Sequence, residues 1–171
     1  MMMMVERNNV SSDQVDQVIG GCINKLAAQG MNVTRTAWLS HGGAQETPCI
    51  TIDSQCGSSQ EALHLATSAL RSGMADCVIA CGVENMSRLP IGSDAMGLKP
   101  EMGKPVSRTY FEHYDFISQF EGAERMAEKY QVTREDTDAF GLQSQERAKA
   151  AVAGGHFDSQ IIPLEVPVFD D

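Results

Sequence analysis

One cysteine has neighbours that suit covalent chemistry. Cys56 follows the apolar run CITID, and the turn QCGSS leads into an apolar stripe at helical spacing from Ser58 to Ser72. The start of a helix offers free N–H donors and a partial positive charge, which favour a thiolate over a thiol. The small residues after Cys56 leave room for a tight turn and a substrate carbonyl. The pattern predicts a nucleophile elbow with cysteine in place of serine, although a structural cysteine at a tight turn has the same spacing.

The sequence offers Cys56 no convincing general base, which a cysteine nucleophile normally needs. His64 lies on the predicted helix after Cys56, about 12 Å along its axis, which is too far to reach the thiol easily. His41 lies beside glycines in a loop, and nothing in the sequence brings it to Cys56. Surface or structural roles are predicted for every histidine, namely His41, His64, His113 and His156. A nucleophile without a partner indicates that the catalytic set is incomplete.

Alternating strand and helix signals place the cysteine turn in an α/β fold. One strand is predicted from Cys49 to Asp53 and another from Cys77 to Val83, with Gly73 closing the helix between them. The second run is continuously apolar, which is typical of strands covered on both faces in parallel sheets. Strand, helix and strand form a βαβ unit, which predicts a mostly parallel sheet.

Three polar residues, Glu84, Asn85 and Arg88, follow the second of these strands. Open α/β sheets bind ligands beyond the carboxyl ends of their strands, so these residues are candidates for lining a site. They would equally serve to satisfy loop backbone or to form a subunit contact, and the sequence leaves these alternatives open.

Further elements are predicted on both sides of the βαβ unit. Before it, the sequence indicates a strand over residues 18–23 and a helix capped by Asn32 or Thr34. After it, residues 87–114 lack periodicity and predict a long loop. Two helices follow, the second beginning at Thr133, and the apolar segment 161–169 with its prolines predicts an edge strand or a loop.

Composition excludes several classes of function. The 171 residues are 42% apolar and carry a net charge of −10 without a basic patch, which argues against nucleic acid as a partner. An odd number of cysteines without a CxxC pair excludes a disulfide framework and a metal site, and core positions are predicted for Cys22, Cys49, Cys77 and Cys81. No run approaches the roughly 18 apolar residues of a membrane span, and no signal peptide is recognisable. We therefore expect a cytoplasmic protein that has no membrane partner.

The segment DSQCGSSQEALHLATSALRSGMADCVIACGVENMSRLPIGS resembles the active-cysteine region of thiolases. The resemblance is carried by Gln55 to Ser58, by Gly73 before the apolar run, and by Gly82 to Arg88. The related ketoacyl synthases share the fold and a nucleophilic cysteine, but the stretch Glu-Asn-Met-Ser-Arg favours thiolase. Segments on both sides, QVDQVIGGCI, NVTRTAWLSHG and QFEGAERMAEKY, resemble the same family, so that nearly the whole chain is covered. The variant QFEGAER is similar to that of bacterial thiolases of acyl-CoA and steroid side-chain breakdown.

The resemblance implies an acyltransferase of lipid metabolism that acts on coenzyme A thioesters, as in fatty acid β-oxidation. Cys56 would attack a thioester or 3-oxoacyl carbonyl and become an acyl-enzyme, and its backbone N–H would help to hold the oxyanion. Degradation would release acetyl-CoA and pass the shortened acyl group to CoA, and the reverse reaction would condense two acetyl-CoA units. Acyl-CoA and CoA would be substrates, no cofactor would be bound permanently, and the full-length enzyme would be a homodimer or homotetramer.

The resemblance also implies a layered α/β thiolase fold of which this chain is one part. Residues 1–95 would belong to the N-terminal α/β domain and residues 96–171 to the first part of the helical loop domain. The family's opening strand and its Asn-Glu-Ala-Phe, Gly-His-Pro and Cys-x-Gly-Gly segments have no counterpart here, so the chain is expected to be inactive alone. The alternative is a truncated paralogue that serves as a non-catalytic binding or assembly partner.

One departure from the family pattern concerns the acyl pocket. Ser118 and Gln119 stand where many relatives carry a His-Met pair at the pocket wall, which puts the chain-length preference in doubt. Ser118, Gln119 and Phe120 are therefore candidates for lining the acyl pocket. For Phe120, a position in the helix core is the favoured interpretation.

Overall fold

The computed structural model describes residues 1–95 and 99–165 and divides the chain into two compact units. The first runs from Met1 to Pro105, and the second begins at Val106. The assignment of residues 1–95 and 96–171 to two family domains stays a prediction, because compactness alone does not identify a domain.

A parallel three-stranded sheet forms the centre of the first unit. Its strands are β1 (Gln17–Gly21), β2 (Cys49–Ile52) and β3 (Val78–Gly82), in the order β2-β1-β3. Val18 lies opposite Cys49 in β2 and Ile79 in β3. The parallel pairing, with helices in the connections, confirms the predicted α/β class.

Helices α1 (Met2–Arg7), α2 (Val33–Ser40) and α3 (Ser58–Arg71) complete the first unit. The sequence did not indicate α1, because its methionine run carries no helix start signal. For α2, Asn32 rather than Thr34 is the N-cap, since its Oδ1 accepts from the Arg35 N–H at 3.1 Å. The Asn32 amide also donates to the Cys49 carbonyl at 2.8 Å, which ties α2 to β2.

Alternate residues of β1 are buried on opposite faces of the sheet. Val18 packs on one face with Trp38, Cys49 and Ile79, whereas Ile19 packs on the other against Ala62 and Ala66 of α3. This alternation follows from the two-residue period of a strand. Each face therefore has its own small apolar core, with one helix of the βαβ connections on each side.

Cysteines contribute to this core as the sequence indicated. Cys22 and Cys49 are buried, which confirms their predicted core positions. Cys77 and Cys81 are only half-buried, although both pack against the α2 side of the core. The prediction that the last strand is covered on both faces is confirmed in part, because Ile79 packs in one core and Val78 and Ala80 pack against the other, although only Ile79 is fully buried.

The second unit contains α4 (Gln119–Tyr130) and α5 (Arg134–Ala153). Thr133 caps α5 as predicted, with its side chain accepting from the Asp136 N–H. The favoured core position of Phe120 is wrong, because its side chain is 76% exposed. Helical periodicity identified an apolar face but did not show what covers it.

The remaining segments are irregular. Short 3-10 turns occupy Ser12–Gln14, Ala27–Gln29, Pro100–Met102 and Arg108–Glu112, the last two within the predicted loop region. Residues 161–165 form neither helix nor strand, and the remainder of the predicted segment 161–169 lies outside the described residues. None of the helices in the described ranges is long and apolar enough to cross a membrane.

Candidate active site

Cys56 lies exposed in the tight turn that joins β2 to α3. The turn is closed by its own backbone, since the Gly57 N–H donates to the Ser54 carbonyl at 3.1 Å and the Ser58 N–H to Gln55 at 3.0 Å. The buried Ser58 hydroxyl accepts from the Ser54 N–H at 2.9 Å. Gln55 has the left-handed φ of +51°, which is strained for a residue with a side chain. The sulfur is therefore presented at the start of α3 by a turn that is internally fixed.

Two glycines let the start of α3 approach the ends of β1 and β3. A Cβ on Gly21 would lie 2.6 Å from backbone atoms of Ser58 and Ser59. A Cβ on Gly82 would collide with the Ser59 side chain and lie 3.2 Å from the Gly21 carbonyl oxygen. The missing Cβ lets helix backbone rest on strand backbone at Gly21 and leaves room for the Ser59 side chain at Gly82, and both contacts bring the Cys56 turn to the carboxyl edge of the sheet.

A pocket of about 270 Å³ opens at this edge. It is lined by Cys56 and Gln55 of the turn, by the ends of β1 and β3, and by the first residues of α3; the full set is Gly21, Cys22, Ile23, Gln55, Cys56, Ser58, Ser59, Gly82, Val83 and Glu84. Its walls include no histidine of the described residues.

Glu84 joins the end of β3 to the loop after β1. Its carboxylate accepts from the Ile23 N–H at 2.8 Å and from the Gln29 amide at 2.8 Å, with longer contacts to the Asn24 N–H and side chain. Gln29 in turn accepts from the Asn85 N–H at 2.7 Å. Of the alternatives left open for Glu84 and Asn85, satisfaction of loop backbone is thus the one that their contacts favour, and Glu84 also lines the pocket.

These contacts explain why β1 ends at Gly21 rather than at Ile23 as predicted. The N–H groups of Ile23 and Asn24 turn toward the Glu84 carboxylate instead of a neighbouring strand. Arg88 does not line the pocket, and its backbone N–H donates to Asn85 Oδ1 at 3.2 Å. A role for Arg88 in lining a ligand site stays a prediction.

Acid should destabilise the fold through Glu84. Burial opposes ionisation, but the donors from Gln29, Ile23 and Asn24 outweigh it and lower the pKa of Glu84 below its ordinary 4.5. Below about pH 4.5, Glu84 takes up a proton in the unfolded chain before it does so in the folded chain. The stability that the ionised carboxylate contributes is therefore present above that pH and is lost as the pH falls toward the lower pKa of the folded state. We expect urea unfolding of Glu84→Gln to show a flatter dependence on pH between about 6 and 3 than the parent chain. If the free energy of unfolding has the same slope against pH in both proteins, Glu84 does not contribute to the acid sensitivity of the fold.

A second charged contact reaches the cysteine turn itself. The Lys25 ammonium lies 3.1 Å from Asp53 Oδ2, and Asp53 Oδ1 accepts from the Gln55 N–H at 2.9 Å. Burial opposes ionisation of Asp53, but the Gln55 N–H and the Lys25 ammonium lower the pKa of its carboxyl. Sequence reasoning missed Lys25 as a site residue, because no periodicity links it to Asp53, 28 residues later.

Other cysteines have environments that disfavour reactivity. Burial raises the pKa of Cys22, and the nearby Glu84 carboxylate adds to this effect. Burial likewise raises the pKa of Cys49 and of Cys81. Since the thiolate is the reactive form, these thiols are poor nucleophiles at neutral pH. Among the five cysteines, Cys56 alone is exposed and lies at a helix start.

The remaining candidates are not among the residues that line this pocket. His41 contacts the Ala37 carbonyl of its own helix, and His64 contacts the Glu61 carboxylate one turn earlier, so both have the surface roles that were predicted. In the second unit, Ser118 is the N-cap of α4 and accepts from the Glu121 N–H at 3.2 Å. Gln119 begins that helix and is exposed, as is Phe120. The acyl-pocket role of Ser118, Gln119 and Phe120 stays a prediction.

Comparison with known proteins identifies the family. A family model described as "Thiolase, N-terminal domain" matches residues 1–171. The chain belongs to the thiolase family. The thiolase resemblance noted in the segment around Cys56 is thereby confirmed, and so is the thiolase-like α/β fold, because the crystal structure of the Bacillus anthracis acetyl-CoA acetyltransferase superposes with a TM-score of 0.79. That comparison has 31% identity and covers 99% of this chain and 44% of that one.

Individual thiolases show the same relationship at the level of sequence. The chain is 40% identical over 168 residues to the steroid 3-ketoacyl-CoA thiolase FadA6 of Mycobacterium tuberculosis, with 95% of this chain and 41% of that protein covered. It is 36% identical over 170 residues to an acetyl-CoA acetyltransferase of Pseudomonas aeruginosa, covering 96% of this chain and 43% of that protein. The thiolase chain described here thus spans about two fifths of the length of the curated relatives it matches.

Proposed function

We propose that this chain is the nucleophile-bearing part of a thiolase that transfers acyl groups between Cys56 and coenzyme A. The observation that carries the proposal is the exposed Cys56 thiol at the start of α3, in a pocket at the carboxyl edge of a parallel sheet. The family membership supplies the class of reaction, and the names of the relatives, 3-ketoacyl-CoA thiolase and acetyl-CoA acetyltransferase, supply the class of substrate.

In the degradative direction, the Cys56 thiolate attacks the 3-oxo carbonyl carbon of a 3-oxoacyl-CoA. The bond between C2 and C3 then breaks, and the acetyl-CoA carbanion leaves with a proton from a general acid. The sulfur of free CoA, as thiolate, attacks the resulting acyl-enzyme, and the bond between the acyl carbon and Cys56 breaks. The products are acetyl-CoA and a shortened acyl-CoA, and the thiolate is restored. Splitting one difficult step into two is the advantage of covalent catalysis.

The first turn of α3 stabilises the charge that develops in both steps. Backbone N–H groups at a helix start lack intrahelical partners, and the helix dipole places positive potential there. The Gly57 and Ser58 N–H groups already donate within the turn, so we assign the oxyanion of a tetrahedral intermediate to the Cys56 N–H. Donors fixed before the reaction cost no reorganisation when charge appears, which is why such groups contribute strongly to catalysis.

We propose that the groups that transfer protons in this reaction come from thiolase segments that have no match in this chain. No histidine of the described residues lines the pocket, and this chain matches about two fifths of its relatives. The histidine that activates the thiol and the second cysteine that moves the proton would come from the family's Gly-His-Pro and Cys-x-Gly-Gly segments. The family resemblance implies a homodimer or homotetramer for the full-length protein, and the composition of the sequence indicates a cytoplasmic location. Both belong to the proposal.

Mass spectrometry of the purified chain after incubation with acetyl-CoA tests this function. We expect a single acetyl adduct that maps to Cys56 and is absent from Cys56→Ala. Cys22→Ala is the matched control, because it removes a buried thiol from the same pocket wall and should keep the adduct. An adduct on any other cysteine would overturn the assignment of the nucleophile. A folded chain without an adduct would mean that activation depends entirely on absent groups, and would favour the non-catalytic binding role.

A further inference from the structure

Two charged contacts connect the three strand ends around the Cys56 turn. Glu84, after β3, holds the N–H groups of Ile23 and Asn24 in the loop that follows β1. The next residue, Lys25, reaches across to Asp53 at the end of β2. The strands therefore meet through side chains beyond the end of their backbone ladder, and the last of these contacts ends at Asp53, three residues before the nucleophile.

Asp53 is the member of this chain of contacts that touches the turn. One carboxylate oxygen accepts from the Gln55 N–H at 2.9 Å, and the other lies 3.1 Å from the Lys25 ammonium. Gln55 is the residue with the left-handed φ of +51°. A strained backbone conformation persists only where neighbouring contacts hold it, and the Asp53 carboxylate is the side-chain acceptor for the Gln55 N–H.

Lys25 holds Asp53 in the orientation that this contact needs. Its ammonium also lies 3.4 Å from the Cys22 carbonyl oxygen and 3.5 Å from that of Ile23. The side chains of Lys25 and Asp53 are 36% and 31% exposed, so the pair is less solvated than the ion pair Arg134–Asp138, where the values are 82% and 62%. A fully solvated surface pair contributes little to stability, and the value of Lys25–Asp53 lies in fixing geometry.

We propose that Lys25 and Asp53 are positioning residues for the Cys56 nucleophile. The ion pair orients the Asp53 carboxylate, the carboxylate fixes Gln55, and Gln55 sets the direction of the sulfur toward the start of α3. The inference rests on the proposed role of Cys56 as nucleophile, but it concerns the thiol's placement and not the transfer of an acyl group.

The rate of Cys56 alkylation by iodoacetamide, resolved by mass spectrometry of peptides at neutral pH, tests the proposal. Because alkylation needs neither acyl-CoA nor the rest of a thiolase, its outcome is independent of acyl transfer. We expect the rate constant to fall about 3- to 10-fold in Lys25→Met and in Asp53→Ala, because the thiolate is no longer aligned with the helix start. The double variant should lose no more than either single variant, since both act through one contact.

Three controls separate positioning from loss of structure. Lys25→Arg should restore the rate to within about twofold of the parent chain, because a guanidinium still reaches Asp53. Arg134→Met removes the exposed ion pair with Asp138 in the second unit and should leave Cys56 unaffected. Buried Cys22 and Cys49 report opening of the first unit, and their alkylation should stay as slow as in the parent chain.

If Cys56 is alkylated at the parent chain's rate in Lys25→Met and in Asp53→Ala, the positioning role is overturned. A parallel rise in Cys22 and Cys49 alkylation would also overturn it, by showing that the pair maintains the fold as a whole. A slowed Cys56 in a chain that never forms an acetyl adduct would keep the positioning role and reject the proposed acyl transfer.

Discussion

Gly21→Ala should slow acetylation of Cys56 by about 100-fold, the scale expected when a reacting group is displaced by about 1 Å. The added Cβ would lie 2.6 Å from the Ser58 carbonyl carbon and the Ser59 nitrogen. Both are backbone atoms of the first turn of α3, so no side chain can rotate away to make room. The start of the helix must move from the strand, and the Cys56 turn moves with it. Overpacking of this kind also costs about 1–3 kcal/mol of unfolding free energy.

The measurement pairs the acetylation rate with urea unfolding followed by tryptophan fluorescence. Trp38 is the sole tryptophan and lies buried in the first unit, so its emission reports that unit. Gly141→Ala is the matched control, because its Cβ would meet no atom within 4 Å and it lies in α5. The control should change neither the acetylation rate nor the Trp38 transition. Gly21→Ala with the parent chain's rate would show that the helix start tolerates displacement.

Trp38→Ala should remove about 3–5 kcal/mol of unfolding free energy, the range for deleting a large buried aromatic side chain. Trp38 is completely buried between α2 and the sheet, and its indole N–H donates to the Ala44 carbonyl at 2.9 Å. The loss leaves a cavity in the larger of the two cores and an unpaired carbonyl. The free energy of unfolding of a small domain is only about 5–15 kcal/mol, so the first unit would retain little stability.

Far-ultraviolet circular dichroism during urea unfolding measures this loss, since the variant has no tryptophan to observe. Leu63→Ala is the control, because Leu63 lies on α3 with 56% of its surface exposed and should cost less than about 1 kcal/mol. A Trp38→Ala midpoint close to that of Leu63→Ala would mean that the cavity collapses or that Trp38 contributes little to the core.

The place of Cys56 was predictable because its signals are local. A strand run, a glycine-containing turn and a helical stripe follow one another within a short segment, and the structure has β2, the turn and α3 in that order. Asn32 as a cap is equally local, since it contacts the N–H of Arg35, three residues later. Such features depend on neighbouring residues and on backbone periods that the sequence displays directly.

The features that sequence reasoning missed depend on contacts between distant segments. The need for glycine at Gly21 arises from Ser58 and Ser59, which meet it only after the sheet and α3 have packed. The pairing of Lys25 with Asp53 arises from the adjacency of β1 and β2. Phe120 shows the opposite error, because its helical period is real but a period does not reveal which faces are covered.

The contact of α3 with Gly21 and Gly82 has a consequence for engineering. At Gly21 the helix start rests on backbone, whereas the rest of α3 packs on the sheet through side chains such as Ala62 and Ala66. The two glycines and the first residues of α3 also line the pocket, and Ile23 and Val83 line it as well without contributing any of the atoms nearest to a Cβ on either glycine. We therefore expect substitutions at Ile23 and Val83 to change the shape of this pocket with less displacement of Cys56 than a substitution at Gly21.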